Sequence, residues 1–221
     1  MVKLLQLMQL TDGTLPIGTA AHSFGLESLA EWEFVRPETL EAFLRSYLQE
    51  QGPIECLYAR AGFSACVMGR NPALLCRRLD AIRQPRESRE ASISLGRRFL
   101  SLCQSIASAE DAERLRVAFH EESPHHVLVF GFVGALLGFD EEETVAAFLH
   151  QAIAAMVSSA QRLMPVGQRQ ATALQWAIKV QIVSVVKGSR SLDLNSVGSF
   201  LPFLDIASMR HPRLETRLFL S

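Results

Sequence analysis

No stretch of this 221-residue chain alternates apolar and polar residues with period two, and no Asn-Gly or Asp-Gly pair stands between two strand-like runs. Hairpins and sheets are therefore excluded as its main architecture. The one Asp-Gly pair, Asp12 and Gly13, runs into Pro16, Ile17 and Gly18, a turn-rich loop. Cysteine is scarce: Cys56, Cys66, Cys76 and Cys103 form no C-x-x-C pair and sit among apolar or helical neighbours. They read as reduced, buried small hydrophobes, not as a disulfide framework or a zinc site. The longest apolar run, Val127 to Phe139, is too short to span a bilayer and closes on Asp140 and three glutamates. Glutamines interrupt the apolar residues of the first ten positions, and no small-residue cleavage site follows, so a signal peptide is not expected.

An excess of either charge is also missing. The formal net charge is −1, which leaves no basic footprint for nucleic acid and no polybasic patch for a membrane. Lysine is nearly absent. Only Lys3, Lys179 and Lys187 occur, and arginine supplies the remaining positive charge. Arginine suits fixed bidentate contacts, although the codon usage of a GC-rich genome produces the same bias. With 48% hydrophobic and 20% charged residues the chain is no disordered tail. A soluble cytoplasmic protein, long enough to bury a core without a metal or disulfide staple, is the expectation.

What is present is helical periodicity. Leu40, Phe43, Leu44, Tyr47 and Leu48 form one apolar stripe, and Val145, Phe148, Leu149, Ala152, Met156 and Leu163 form a second. Leu174, Ala177, Ile178, Ile182 and Val185 form a third, with Gln181 as a polar intruder. Residues 87–106 read as helix, with Ile93, Leu100, Cys103 and Ile106 expected on its inner side. Asn71-Pro72 and Ser123-Pro124 each supply an N-cap followed by a proline suited to the first helical position. Asp140 with Glu143 resembles a capping box. The run from Val127 is compatible with a buried strand. Gly131, Gly134 and Gly138, spaced three and four apart, favour a buried helix with a face open to close approach. The expected fold is all-α, a single-domain bundle of about nine or ten helices. Residues 1–17 and 211–221, which lack a sustained period, are set apart as arms. The C-terminal arm is expected to be dispensable for folding.

Enzyme signatures are missing as well. There is no P-loop, no dinucleotide fingerprint, no nucleophile elbow and no H-E-x-x-H. His120, Glu121 and Glu122 begin a near miss, but the next histidine, His125, lies past Pro124. His125 and His126 are adjacent, about 100° apart on a helix, and poorly placed to clamp one metal. His22 and His211 stand alone. No pair of carboxylates stands out as an acid/base couple. The residues by themselves favour a binding or scaffold role without a catalytic residue, resident metal or cofactor.

Four patches in a fixed order carry a resemblance. The first is Leu15, Pro16, Ile17, Gly18, then His22, Ser23, Phe24, Gly25, Leu26 and Glu27. The second is Arg86 to Glu90 leading to Leu95, Gly96 and Arg97. The third joins His125, His126, Phe130 and Gly131 to Ser158, Ser159, Ala160, Arg162, Leu163 and Pro165 to Gln168. The fourth is Leu204 to His211, then Arg217, Leu218, Phe219 and Ser221. Together they resemble the UreF family of urease accessory proteins, from about residue 4 to the last. That resemblance implies an all-α, commonly dimeric, non-enzymatic assembly factor. It would bind a UreD-type (also called UreH-type) accessory protein, recruit a UreG-type GTPase, and serve nickel insertion into apo-urease. Partner contacts are then expected at Pro16, Gly18, His22, Ser23, Gly25, Gln168, Met209, Arg210, His211, Arg217, Leu218 and Phe219. Arg210 and Arg217 would act as bidentate contacts, and Leu218, Phe219 and Leu220 as apolar anchors. Two other readings stand beside it: a nickel carrier using His22, His125, His126 or His211, and a helical-bundle enzyme with an unfamiliar site.

Overall fold

The computed structural model describes residues 1–120, 122–195 and 202–221, so Glu121 of the near-miss motif lies outside the described residues. Eleven α-helices are found among them, one more than the upper expectation, and no strand. In chain order they are α1 (Val2–Leu10), α2 (Leu26–Glu31), α3 (Leu40–Glu50), α4 (Gly52–Val67), α5 (Ala73–Ile82) and α6 (Arg86–Ile106). There follow α7 (Ala109–Ala118), α8 (His126–Leu136), α9 (Glu141–Leu163), α10 (Gln168–Gly188) and α11 (Pro202–Arg210). The architecture is an all-α single-domain bundle.

Its centre is α8, the segment that composition left open to a strand reading. Every residue from His126 to Gly134 is buried, so the helix carries no amphipathic stripe and must be enclosed on all sides. The bundle encloses it with α4 on one side and α6 and α9 on others. The contact with α4 is close at backbone level. A Cβ on Gly131 would lie 1.9 Å from the Ala59 carbonyl oxygen, and one on Gly62 would lie 2.3 Å from the Leu128 carbonyl oxygen. Each helix thus supplies a glycine where the other's backbone touches it. Gly138, expected on the same face, instead ends the helix with φ +69°, the left-handed turn that glycine favours after a helix.

The apolar stripes of α3 and α9 hold, and that of α10 holds at Leu174, Ile178 and Ile182 but not at Ala177, which is exposed, or Val185, which is half-buried beside the buried Val186. Leu40, Leu44, Tyr47 and Leu48 are buried, as are Val145, Phe148, Leu149 and Met156. The intruder Gln181 is satisfied by Arg45 of α3: its Nε2 donates to the Arg45 carbonyl at 2.8 Å, and its Oε1 accepts from Arg45 Nη1 at 3.0 Å. The face expected for α6 holds at Cys103 and is corrected elsewhere. Ile106 is 61% exposed and Ile93 and Leu100 are only half-buried, whereas Ser92, Leu95, Gly96, Phe99 and Cys103 face the core. Gly96 lies directly under the Pro124 carbonyl, which turns that side of α6 inward.

The punctuation is mixed. Asp140 Oδ1 accepts from Glu143 N at 3.0 Å, as expected. Asn71 Oδ1 accepts from Ala73 N at 2.7 Å, where α5 begins. Ser123-Pro124 does not start α8, which begins two residues later behind His125. Pro124 is instead buried with its carbonyl against Gly96. The N-terminal segment, expected to be aperiodic, forms α1, with Leu7 and Leu10 buried.

The two histidines that open α8 are structural. His125 Nε2–H donates to Asp80 Oδ1 at 3.0 Å while Nδ1 accepts from Ser92 Oγ at 3.1 Å. His126 is ringed by Phe99, Phe130 and Phe148, with centroids 5.3, 6.1 and 5.4 Å away. Burial first, and then the nearby Arg83 charge, hold both imidazoles at about 4, so both are neutral at pH 7. The Asp80 contact is accordingly a hydrogen bond from a neutral ring.

Two outcomes follow from this packing. Gly131→Ala should cost about 1–3 kcal/mol or more, because the Ala59 backbone cannot yield as a side chain would. Gly188→Ala, with open space around it, should be neutral or slightly stabilising; chemical denaturation of the two variants distinguishes them. The second outcome concerns pH. His125 and His126 titrate near 6.5 when unfolded but are held at about 4 in the fold. Between those values the unfolded chain binds more protons, so stability falls as pH drops from about 6.5 toward 4, by roughly 1.4 kcal/mol per pH unit per histidine. Melting curves from pH 7.5 to 4.5 should show a steady decline in Tm beginning near 6.5, and a flat profile down to pH 5 would contradict this account.

Candidate partner interface

The loop before α2 and the C-terminal tail form one unit. Asp12 Oδ1 accepts from both the backbone and the hydroxyl of Thr14, at 2.7 and 2.6 Å, which turns the chain after α1. Ile17 is fully buried and pins the loop to the core. A short 3-10 turn, Thr19–Ala21, leads to His22 and Ser23, both buried. At Gly25 the backbone takes φ +85°. A Cβ there would meet Ser208 Oγ at 2.9 Å and the Leu204 carbonyl at 3.3 Å, so α11 lies directly on the loop. Glycine is required on both counts.

The tail docks on this loop through buried polar contacts. Ser23 donates twice to the Ser221 carbonyl oxygen, from N at 2.5 Å and from Oγ at 2.9 Å. Leu220 N donates to the Ala21 carbonyl at 2.8 Å. The Ser221 hydroxyl lies 2.7 Å from His22 Nδ1. Burial, with the Arg98 charge as a lesser cause, holds the His22 imidazole at about 4, so it is neutral at pH 7.

Glu27 is the second anchor. One carboxylate oxygen accepts from His211 Nε2 at 2.7 Å and the other from Leu218 N at 2.6 Å. His211 is fully buried, and its Nδ1 lies 3.7 Å from Glu87 of α6. Phe219 is the third. It is 4% exposed, with the Arg162 guanidinium 4.3 Å above its ring, and Arg162 also donates to the Ala20 carbonyl. Residues 211–221 therefore fold back onto the body. This docking runs against the expectation that the tail is dispensable for folding.

The residues expected as partner contacts divide into two groups. His22, Ser23, Gly25, His211 and Phe219 face inward and hold the tail. Met209, Arg210, Arg217 and Leu218 are exposed, Met209 and Leu218 by 51% and 63%, and Leu220 beside them is 64% exposed. Pro16 is exposed and Gly18 half-buried on the loop. Gln168, also exposed, stands apart at the start of α10, accepting from Gln161 Nε2 at 2.6 Å. Sequence reasoning missed Glu27 and Arg162 as organising residues, although both fall within the quoted patches; a buried carboxylate is invisible until its histidine is brought to it.

The histidines proposed as nickel ligands are each engaged separately: His22 with Ser221, His125 with Asp80 and Ser92, His126 among aromatic rings, and His211 with Glu27. Among the described residues no group of three or more His, Cys, Asp and Glu side chains is placed to hold a metal ion. Burial pushes the Cys56, Cys76 and Cys103 thiols up to about 12, which suits inert core residues. No described helix is long and apolar enough to cross a membrane.

Comparison with known proteins agrees with the patches. The family model UreF matches residues 35–179. The urease accessory protein UreF of Paenarthrobacter aurescens is 31% identical over 221 residues, covering 98% of this chain and 97% of that protein. UreF of Geobacillus kaustophilus is 29% identical, covering 99% and 98%, and UreF of Actinobacillus pleuropneumoniae is 30% identical, covering 97% of each. With the family model spanning more than half the chain and relatives matching it nearly end to end, the chain belongs to the UreF family of urease accessory proteins.

Proposed function

We propose that this protein acts without catalysis of its own, as a scaffold or chaperone that joins a UreD/UreH-type accessory protein to a UreG-type GTPase. The assembly inserts nickel into apo-urease, and the protein works in the cytoplasm as a homodimer. The observation that carries the reading is the division of the tail into a buried clamp and an exposed band. Met209, Arg210, Arg217, Leu218 and Leu220 stand outward in one stretch of chain, apolar and cationic groups side by side. Apolar side chains flanked by arginine are the composition of interface anchors. The clamp fixes their backbone beforehand, which reduces the ordering cost of binding. The carrier reading is less well supported, because every histidine it needs already has a structural role.

Co-expression with UreD- and UreG-type partners, followed by size-exclusion chromatography, tests the proposal. Leu218→Asp and Met209→Asp should weaken capture of the UreD-type partner by tenfold or more, in line with about 2 kcal/mol for an interface anchor, while leaving Tm nearly unchanged. Phe219→Ala should lower both capture and stability, the latter by about 3–5 kcal/mol, because it releases the tail. Normal assembly by both aspartate variants would place the binding surface elsewhere.

A further inference from the structure

Between α3, α4, α6, α8 and α9 the bundle leaves a cavity of about 60 Å³. Its walls include Phe24, Tyr47, Phe148 and Met156, but polar residues also line it: Thr19 and Ser92, and the four that matter here, Glu55, Arg83, His126 and Gln151. Glu55, His126 and Gln151 are all more than nine-tenths buried. Each of the four carries a buried polar atom with no partner in the protein: Glu55 Oε2, Arg83 Nε, His126 Nε2 and Gln151 Oε1. Glu55, Arg83 and Gln151 are each held by another atom. Glu55 Oε1 accepts from Arg83 Nη2 at 2.7 Å and from Gln51 Nε2 at 3.1 Å. Gln151 Nε2 donates to the Leu10 carbonyl at 3.3 Å, which leaves its oxygen as the unpaired atom of the amide.

An apolar filling would leave four polar atoms desolvated and unpaired in one place, a costly arrangement that native interiors avoid. The charge around the cavity selects the occupant. Glu55 and Arg83 neutralise one another at 2.7 Å. A cation would face the guanidinium and an anion would face the carboxylate, so a neutral molecule with both donors and acceptors fits. Roughly 10–15 Å³ suffices for one ordered water, so the cavity has room for about four. We propose that this chamber is an internal water-binding site, in which a cluster of water molecules completes Glu55, Arg83, His126 and Gln151. The cluster joins α4, α8 and α9 at the centre of the bundle by hydrogen bonds that no pair of side chains makes directly.

The test uses the full chain. Water-selective NMR should give direct nuclear Overhauser effects between long-lived water and the side-chain amide of Gln151 and the ring of His126. Xenon, which enters dry apolar cavities, should not bind. Gln151→Leu and His126→Phe, singly and together, form a double-mutant cycle read as shifts in Tm. Because the two side chains share no direct hydrogen bond, a shared water cluster makes the double variant lose clearly less than the sum of the two single losses. Saturable xenon binding without water contacts at these groups would show a dry cavity and overturn the proposal. Strictly additive Tm shifts would overturn the shared network even if water were detected. Should the variants not fold, the water and xenon measurements on the unaltered protein still decide.

Discussion

The bundle depends on one contact more than any other, the backbone-to-backbone approach of α4 and α8. Gly62 meets the Leu128 carbonyl and Gly131 meets the Ala59 carbonyl, so the closeness is set by two reciprocal absences of Cβ. Drawing α8 this close to α4 permits α6 and α9 to cover its remaining sides. The hydrophobic effect supplies the driving force, since α8 has nothing to present to water. Glycine decides the geometry. Arg60 of α4, largely buried, adds a polar fastening: it pairs with Glu141 of α9 at 2.5 Å and donates to the Val186 carbonyl of α10 at 3.0 Å. The same helix thus holds α8 by van der Waals contact on one side and the α9–α10 corner by charge on the other.

A second principle governs the tail. Only Phe219 of the final segment buries a large apolar side chain, so apolar burial alone would hold it weakly. The remainder is buried polar chemistry: Ser23 and His22 on Ser221, and Glu27 on His211 and Leu218 N. Buried polar contacts add less net free energy than their number suggests, but breaking one leaves a desolvated group behind. Such a clamp therefore specifies one docked position and penalises partial release. Aromatic burial under Arg162 and the polar pairs act on the same few residues, which makes the segment behave as a unit.

Much of this was legible in the sequence. The stripes of α3, α9 and α10 could be read because period and composition agree there, and Gln181 was visible as the exception that Arg45 later satisfied. The buried character of α8 followed from an apolar run too short for a membrane and spaced by glycines. The inner face of α6 was not legible, because that helix carries apolar residues on both sides and only the approach of Pro124 to Gly96 chooses between them. Nor was the tail. Its anchors pair residues 184 and 191 positions apart, and no local pattern announces that Glu27 will be buried or that His211 will reach it. Family resemblance singled out the residues without revealing that five of the twelve face inward.

That division bears on how such a surface can persist. Residues whose side chains face solvent, Met209, Arg210, Arg217 and Leu218, are mounted on residues whose side chains or backbone are locked. Leu218 makes the point within a single residue: its N–H is held by the Glu27 carboxylate while its side chain stands 63% exposed. The backbone contact fixes where the side chain emerges, and the side chain remains free to change without disturbing the clamp. Stability and recognition thus fall on different atoms of the same short segment. A substitution acts on one or the other according to which of those atoms it removes.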